Sequence, residues 1–344
     1  FGKSLYVSDD GTYLAVGASN EDQNGNNSGA VYIFYRADIS SNFAQQAKLD
    51  PSDGAFSDEF GTSVTLNADA TYCVGGAEGE YGSPYTGLYT GAAYVFTRSG
   101  TTWTEQAKLN ASDLATYDKF GCAVDISDDG TYLAVGAKGA SRTSSSTSSG
   151  RGAVYIFTRS GTSWSEQVIL AGNDYNVSPI TGSGQFGCAV SFDDDANVLV
   201  VGNEFADTSS ISSCGAVDVL TRSGTTWTHQ AQLLDDQVSS SGFGGDVRVN
   251  KQGTVITVGS SGDDAAGQTG SGTSSGAVYV FDRTGDFTQW QLRNKIKHYA
   301  QDGTELAQDQ FGLRVGMDNA GTTFISGAYR QDEHSSNGGA VYFI

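Results

Sequence analysis

The chain has 344 residues, and 39 acidic against 19 basic side chains give it a formal net charge of -20 and a pI near 4.3. A surface this acidic repels nucleic-acid phosphates and anionic membranes, so the composition argues against nucleic acid as a partner. No apolar run approaches the 18 residues of a transmembrane helix, so we expect no membrane span in this segment.

A Phe-Gly pair recurs six times along the chain. The intervals between successive pairs are 59, 60, 66, 57 and 68 residues. A repeat of this size is one supersecondary unit that buries its faces by packing on its neighbours. We therefore divide residues 1–344, interpreted as a single domain, into units that start at Phe1, Phe60, Phe120, Phe186, Phe243 and Phe311.

Each unit contains the same four short runs, which we name strands A to D in chain order. The runs are rich in β-branched and aromatic residues, are bounded by Gly, Ser and Asp, and lack the 3.6-residue apolar period of a helix. They predict a four-stranded antiparallel meander. In the third unit the runs are Phe120–Ser127, Tyr132–Ala137, Gly152–Arg159 and Ser163–Leu170.

Strand A combines an apolar face with a face that starts on small residues, as at Gly121 and Ala123. Small residues suit the crowded centre of a radial array, so six units predict an all-β fold, a six-bladed β-propeller. The chain ends at Ile344 on strand C of the last blade, which therefore lacks its outer strand. We expect the sequence to be an excerpt of a longer chain, with blade 6 completed by another segment or by an assembly partner.

Several recurring residues are interpreted as architectural. The Phe of each Phe-Gly pair fills the gap between blades, and its Gly allows close approach. Trp103, Trp164 and Trp227 share one strand D position and predict packing between blades. Three aspartates lie two residues before a Phe-Gly pair and are expected to satisfy turn amides: Asp58, Asp118 and Asp309.

The loops predict where ligands bind. The A–B and C–D turns share one end of each blade and are short, whereas the B–C and D–A loops share the other end and are long and variable. Variation confined to one end of a rigid scaffold is typical of recognition loops. Aromatic rings beside carboxylates suit sugars or protein side chains. The candidate ligand-binding residues at this end are Tyr81, Tyr85, Tyr89, Tyr117, Tyr175, Phe205 and Tyr329.

The repeated unit resembles the FG-GAP repeat of integrin α-subunit heads and of secreted microbial and algal propellers. The resemblance rests on Phe-Gly followed by D-G-T-Y-L-A-V-G-A and then by G-A-V-Y-I-F-T-R-S-G-T, and it extends over essentially the whole chain. It implies an extracellular, secreted or cell-surface β-propeller used in adhesion or recognition, with a protein or glycan as its partner.

The A–B turns depart from the integrin-type pattern. Integrin-type repeats often hold Ca²⁺ in an acidic loop, D-x-D-x-D-G-x-x-D, whereas turns such as Ser127-Asp128-Asp129-Gly130 are too short to supply six to eight oxygen ligands. We therefore expect no cofactor and little role for Ca²⁺. The three adjacent carboxylates of Asp193, Asp194 and Asp195 form the one weak candidate metal site.

Covalent modifications are the next set of expectations. The four cysteines do not form a disulfide framework; if a pair bonds, it is Cys188 with Cys214, and Cys73 is interpreted as a buried small hydrophobe. Three N-x-S sequons lie at the long-loop end, and glycans are expected there in a secreted eukaryotic protein. The sequons are Asn26, Asn110 and Asn176.

Catalysis finds little support in the sequence. The histidines His229, His298 and His334 fall in unrelated positions, and the chain has no G-x-S-x-G, H-E-x-x-H or C-x-x-C motif. The preferred reading is an extracellular recognition or adhesion module that is not an enzyme. Two alternatives stay open: a structural block of a surface or filament assembly, and a hydrolase or lyase with acidic catalytic residues.

Overall fold

The computed structural model describes residues 1–81, 89–141, 151–175, 184–235, 240–263, 274–285, 289–297, 309–328 and 339–344. The chain divides into two compact units, Phe1–Ala171 and Gly172–Ile344, and each unit contains three consecutive blades. In the described parts of the chain, no helix is long and apolar enough to cross a membrane.

The first unit holds blades 1 to 3, and each is a four-stranded antiparallel sheet whose strands follow one another in chain order. The strands are β1 Ser4–Val7, β2 Tyr13–Ala18, β3 Ala30–Tyr35 and β4 Ala44–Leu49; β5 Phe60–Leu66, β6 Tyr72–Ala77, β7 Ala92–Ser99 and β8 Thr102–Leu109; and β9 Phe120–Ile126, β10 Tyr132–Ala137, β11 Ala153–Ser160 and β12 Ser163–Ala171.

The second unit begins with one turn of 3₁₀ helix, Gly172–Tyr175, and holds blades 4 to 6. The strands are β13 Phe186–Phe192, β14 Val198–Asn203, β15 Ala216–Ser223 and β16 Thr226–Leu233; β17 Phe243–Val249, β18 Val255–Ser260, β19 Ala277–Thr284 and β20 Gln289–Ile296; and β21 Phe311–Met317, β22 Phe324–Ala328 and β23 Ala340–Phe343.

The strand order in every sheet confirms the predicted all-β, six-bladed β-propeller fold. From the second blade onward, the inner strand starts at the predicted Phe, as at Phe60 and Phe311. Blade 6 contains three strands, β21 to β23, as the sequence predicted.

The Phe-Gly pairs build the junctions between neighbouring blades within each unit. Phe60 is fully buried, packs edge-on against Tyr94 of its own blade, and forms a backbone bridge with Gly29 of blade 1. The carbonyl oxygen of Gly61 lies so close to Gly17 of blade 1 that a Cβ there would be 2.0 Å away. Phe60 thus fills the gap between the blades and Gly61 allows close backbone approach, so both predicted roles are confirmed.

An arginine near the end of strand C hydrogen-bonds to main-chain carbonyls at the short-loop end of each of blades 2, 3 and 4. Arg98 donates from Nε to Ala70 O at 2.7 Å, from one guanidinium nitrogen to Asp69 O at 2.9 Å, and from the other to Gly100 O at 3.1 Å. Its guanidinium also lies 4.4 Å from the ring centre of Tyr13 in blade 1. We call this arrangement the arginine clamp, and Arg159 and Arg222 repeat its hydrogen bonds.

The outer strands are joined by the predicted tryptophans. The Trp103 indole donates to Gln46 of blade 1 at 3.1 Å, and the Trp164 indole donates to Gln106 of blade 2 at 2.9 Å. Trp103 and Trp164 therefore connect neighbouring blades, as predicted.

The cysteine side chains correct one expectation. None of the four cysteines is in a disulfide, and Cys73 is fully buried as predicted. Cys188 donates from Sγ to Gly244 O and Cys214 from Sγ to Ala206 O, each at 3.4 Å. The disulfide considered for Cys188 and Cys214 is absent because each sulfur faces its own backbone acceptor.

Candidate recognition site

Three of the predicted aromatic residues meet at the long-loop end of blades 2 and 3. The rings of Tyr81 and Tyr89 stack with centroids 5.3 Å apart, and Tyr117 lies 6.3 Å from Tyr89 at a tilt of 46°. Tyr89 is 36% exposed and Tyr117 is 55% exposed. We call these three rings the tyrosine ledge.

The ledge is assembled from two loops. Tyr81 and Tyr89 belong to the connection between β6 and β7, whereas Tyr117 belongs to the connection between β8 and β9. Tyr117 adopts φ +66°, a conformation that is costly for a side chain with a Cβ. The next residue fixes this bend, because Asp118 O accepts the Gly139 N–H at 3.0 Å.

The phenols of the ledge interact directly. A hydrogen bond with the Tyr89 hydroxyl, together with partial burial and the charges of Asp58 and Glu59, raises the pKa of Tyr81. A phenol with a raised pKa stays neutral at physiological pH. The ledge therefore offers Tyr81 as a neutral aromatic face with a polar edge.

A charged network supports the start of the loop that carries Tyr81. Lys108 Nζ lies 2.7 Å from Asp53 Oδ2 and 2.6 Å from Glu80 Oε1, and the Tyr94 hydroxyl donates to Asp53 Oδ1 at 2.8 Å. Burial alone would lower the pKa of Lys108, but its hydrogen bonds to the two carboxylates raise it. Lys108 therefore stays charged and holds Glu80, the residue before Tyr81, in place.

The other Glu80 oxygen, Oε2, is buried, and no group among the described residues hydrogen-bonds to it. Such an atom is costly in a folded protein unless another group reaches it. It lies at the base of the loop, next in sequence to the ledge.

The predicted turn role of the aspartates before Phe-Gly is confirmed at two positions. Asp58 accepts the Ala55 N–H at 2.6 Å, and Asp118 accepts the Ala115 N–H at 3.0 Å. Burial, reinforced by the negative charge of Glu80, raises the pKa of Asp58 to about 6. The turn role of Asp309 stays a prediction.

The remaining predicted aromatic residues are not part of the ledge. Phe205 is 43% exposed in the loop between β14 and β15 of the second unit. Tyr85 and Tyr329 lie outside the described residues, and so does the side chain of Tyr175.

The candidate metal site at Asp193 to Asp195 contains a turn cap. Asp193 Oδ1 accepts the N–H groups of Asn197 and Val198 at 2.7 and 2.8 Å. Burial, followed by repulsion from Asp194 and Asp195, raises the pKa of Asp193. No cluster of three or more His, Cys, Asp or Glu side chains suited to a metal ion occurs within the described ranges. The expectation about Ca²⁺ stays a prediction.

The sequons differ in their surroundings. Asn26 is exposed in the loop between β2 and β3. Asn110 is partly buried, and its Nδ2 donates to Gly91 O at 3.2 Å. Asn176 lies outside the described residues, and the use of all three sequons stays a prediction.

Comparison with solved structures finds the same kind of fold at low sequence identity. A candidate 6-phosphogluconolactonase from Bacteroides fragilis shares 12% identity at a TM-score of 0.57, and the match covers 100% of this chain and 87% of that one. A candidate 6-phosphogluconolactonase from Bacteroides uniformis gives 9% and 0.59, with coverage of 100% and 88%. A protein from Lactobacillus plantarum gives 12% and 0.58, with coverage of 99% and 87%. Identities this low show the fold alone.

Comparison at the sequence level supports the resemblance noted above. No curated protein matches this chain. The FG-GAP repeat family, in contrast, matches residues 1–34, 43–96 and 103–157. The matched stretches run from β1 to β11, and blades 4 and 5 have the same sheet order as blades 1 to 3. The chain is therefore a six-bladed β-propeller whose first three blades match the FG-GAP repeat.

Proposed function

We propose that this protein is an extracellular recognition module that binds a glycan or a protein at the long-loop end of its blades. FG-GAP propellers serve as binding or structural modules, and FG-GAP repeats are typical of extracellular proteins. The observation that carries the proposal is the tyrosine ledge, three rings that converge from two loops on a rigid support.

Ring faces of this kind suit two classes of ligand. A sugar ring can lay its C–H face on an exposed tyrosine while its hydroxyls reach neighbouring polar groups. A protein ligand can insert an apolar or cationic side chain between the rings. Tyr89 and Tyr117, the more exposed pair, are the residues we assign to ligand contact.

The role we propose is binding without catalysis. The Lys108 network and the Asp58 turn use their carboxylates to position loops, which accounts for these charged groups without a reaction. The lactonase description belongs to the fold neighbours and carries no argument for this chain at 9 to 12% identity.

A glycan array and a peptide array probed with the purified protein test the proposal. We expect selective binding that falls at least tenfold in Tyr89→Ala and in Tyr117→Ala. Tyr35→Ala is the matched control, because Tyr35 is an exposed tyrosine, 38% accessible, at the end of strand β3. Equal affinity in all three variants would refute the ledge as the binding site.

A further inference from the structure

Two tyrosines of the ledge form a closely packed pair. The rings of Tyr81 and Tyr89 stack with centroids 5.3 Å apart and an interplanar angle of 29°, and a hydrogen bond joins their hydroxyls. A hydrogen bond between two hydroxyls holds the oxygens about 2.7–2.8 Å apart. The ring carbons ortho to each hydroxyl, which lie two bonds from its oxygen, are therefore also close together. These ortho carbons are the positions at which two oxidised tyrosine rings join.

The surroundings of Tyr81 favour the loss of an electron from its ring. The negative charges of Asp58 and Glu59 act on the Tyr81 phenol. A nearby negative charge lowers the energy needed to remove an electron, because it stabilises the positive charge that the oxidised ring carries until its proton leaves. The hydrogen bond with the Tyr89 hydroxyl gives that proton a path away from the ring.

The third ring of the ledge connects this pair to solvent. Tyr117 is 55% exposed, and its ring centre lies 6.3 Å from that of Tyr89. An oxidant that removes an electron from Tyr117 creates a radical beside Tyr89, and an electron from Tyr89 can then fill the vacancy. The ledge therefore combines an exposed ring, on which an oxidant acts, with a stacked pair in which two radicals meet.

A second tyrosine pair, at the short-loop end of blade 1, provides an internal comparison. The ring centres of Tyr13 and Tyr35 are 4.9 Å apart, with an interplanar angle of 45°. The Arg98 guanidinium lies 4.4 Å from the ring centre of Tyr13. A positive charge at this distance raises the energy needed to remove an electron from the ring. The two pairs are thus similarly close, but the charges beside them have opposite signs.

We propose that Tyr81 and Tyr89 are a site of oxidative cross-linking, at which a haem peroxidase supplied with hydrogen peroxide joins the two rings as dityrosine. The cross-link closes the connection between β6 and β7 covalently, because the two residues stand near its two ends. It also fixes two rings of the tyrosine ledge relative to each other. This modification needs no ligand and is therefore independent of the proposed recognition function.

The reaction consumes one molecule of hydrogen peroxide for each cross-link. The peroxidase removes one electron and one proton from each phenol in two successive steps, and the peroxide is reduced to two molecules of water. The two phenoxyl radicals then combine, and a C–C bond forms between one ortho carbon of each ring. The hydrogen on each of these carbons moves to the oxygen of the same ring, which restores both phenols. The product therefore has two hydrogens fewer than the starting chain.

Treatment of the dilute, purified chain with a haem peroxidase and limiting hydrogen peroxide tests this site. We expect dityrosine fluorescence and a monomer that is lighter by two hydrogens. Peptide mass spectrometry locates the link: fragment ions from backbone cleavage between residues 81 and 89 should be missing, since the two ends stay joined. A synthetic peptide of residues 78–91 is the control for sequence proximity alone, and it should show no preference for Tyr81 with Tyr89 over pairs that include Tyr85.

Phenylalanine variants keep each ring but remove the hydroxyl that a phenoxyl radical requires. Tyr89→Phe should lower the yield of cross-linked monomer at least tenfold, whereas Tyr35→Phe, the matched control, should leave it unchanged. Tyr85→Phe should also leave the link in place. Tyr117→Phe should slow the reaction severalfold without moving the link, because it removes the exposed ring on which the oxidant acts. Circular dichroism confirms that the variants fold.

A cross-link yield that is unchanged in Tyr89→Phe would overturn the proposal. A preferred link between Tyr13 and Tyr35, products that join only separate chains, or no reaction would overturn it as well. Equal selectivity in the synthetic peptide would show that the folded ring geometry does not select the pair. Binding to glycans or peptides is measured on the chain before oxidation, so these outcomes leave the recognition function to its own test.

Discussion

Gly76→Ala tests the junction between blades 2 and 3. A Cβ on Gly76 would lie 1.9 Å from Gly121 O and 2.4 Å from Ser63 Oγ. Carbon and oxygen are not found closer than about 3 Å without a bond, and the atom in the way is backbone, so the two blades must move apart by roughly 1 Å.

The free-energy cost has two parts. Overpacking of this kind costs about 1–3 kcal/mol. The same movement weakens the hydrogen bond from Ser63 Oγ to Gly121 O, 2.8 Å long, which contributes about 1 kcal/mol. We therefore expect Gly76→Ala to reduce the free energy of unfolding by roughly 2–4 kcal/mol.

Thermal unfolding measures this loss. For a compact unit of about 170 residues, each kcal/mol shifts Tm by roughly 2–4 °C, so a decrease of about 5–15 °C is expected. Gly327→Ala makes the same chemical change at the same strand position, but in open space, and should alter stability by less than about 0.5 kcal/mol. Equal effects of the two substitutions would show that close backbone approach is not what this glycine provides.

Four further predictions concern the arginine clamp, the buried Asp58, metal binding and glycosylation. Arg98→Lys should lower the free energy of unfolding by about 1–3 kcal/mol in urea titrations, because a lysine cannot donate to Ala70 O, Asp69 O and Gly100 O together. Lys3→Ala is an exposed control, and an equal loss in both variants would contradict the clamp. Burial raises the folded-state pKa of Asp58 to about 6, above its unfolded value near 4. The folded state therefore binds a proton more tightly than the unfolded state, and the free energy of unfolding should fall as pH rises from 4 to 6. Asp58→Asn should flatten this pH dependence, and an unchanged slope would contradict the role of Asp58. Chelator should lower Tm by less than about 10 °C, and a larger drop would restore a structural role for Ca²⁺. In secreted eukaryotic material, peptide mass spectrometry should find glycans on Asn26, and unmodified Asn26 would refute this expectation.

The fold could be predicted from the sequence because the chain repeats one unit six times. Phe60 and Trp103 occupy positions that recur along the chain, and a residue that recurs at one strand position is expected to have the same role at each recurrence. The arginine clamp was missed although it carried the same signal. Arg98, Arg159 and Arg222 recur in T-R-S-G, but an arginine at the end of a strand is usually solvated, and its backbone acceptors leave no mark in the sequence.

The candidate site was only partly predictable because loop geometry does not repeat. The sequence placed Tyr81, Tyr89 and Tyr117 at one end of the blades, but which rings meet depends on the bend at Tyr117, φ +66°, and on the Gly139 contact that fixes it. The pairing of Cys188 with Cys214 failed for a related reason. The repeat places both cysteines at the same end of blade 4, but this placement does not reveal the backbone acceptors to which each thiol points.

The arginine clamp has a consequence for protein engineering. The three acceptors of Arg98 are main-chain carbonyls near the short turns, so its hydrogen bonds do not involve the connections at the opposite end of the blade. New peptide segments could therefore be inserted between strands B and C of one blade while strands, junctions and clamp keep their sequence. An FG-GAP blade of this kind is suited to the display of grafted binding loops, and the best host positions are those farthest from the arginine.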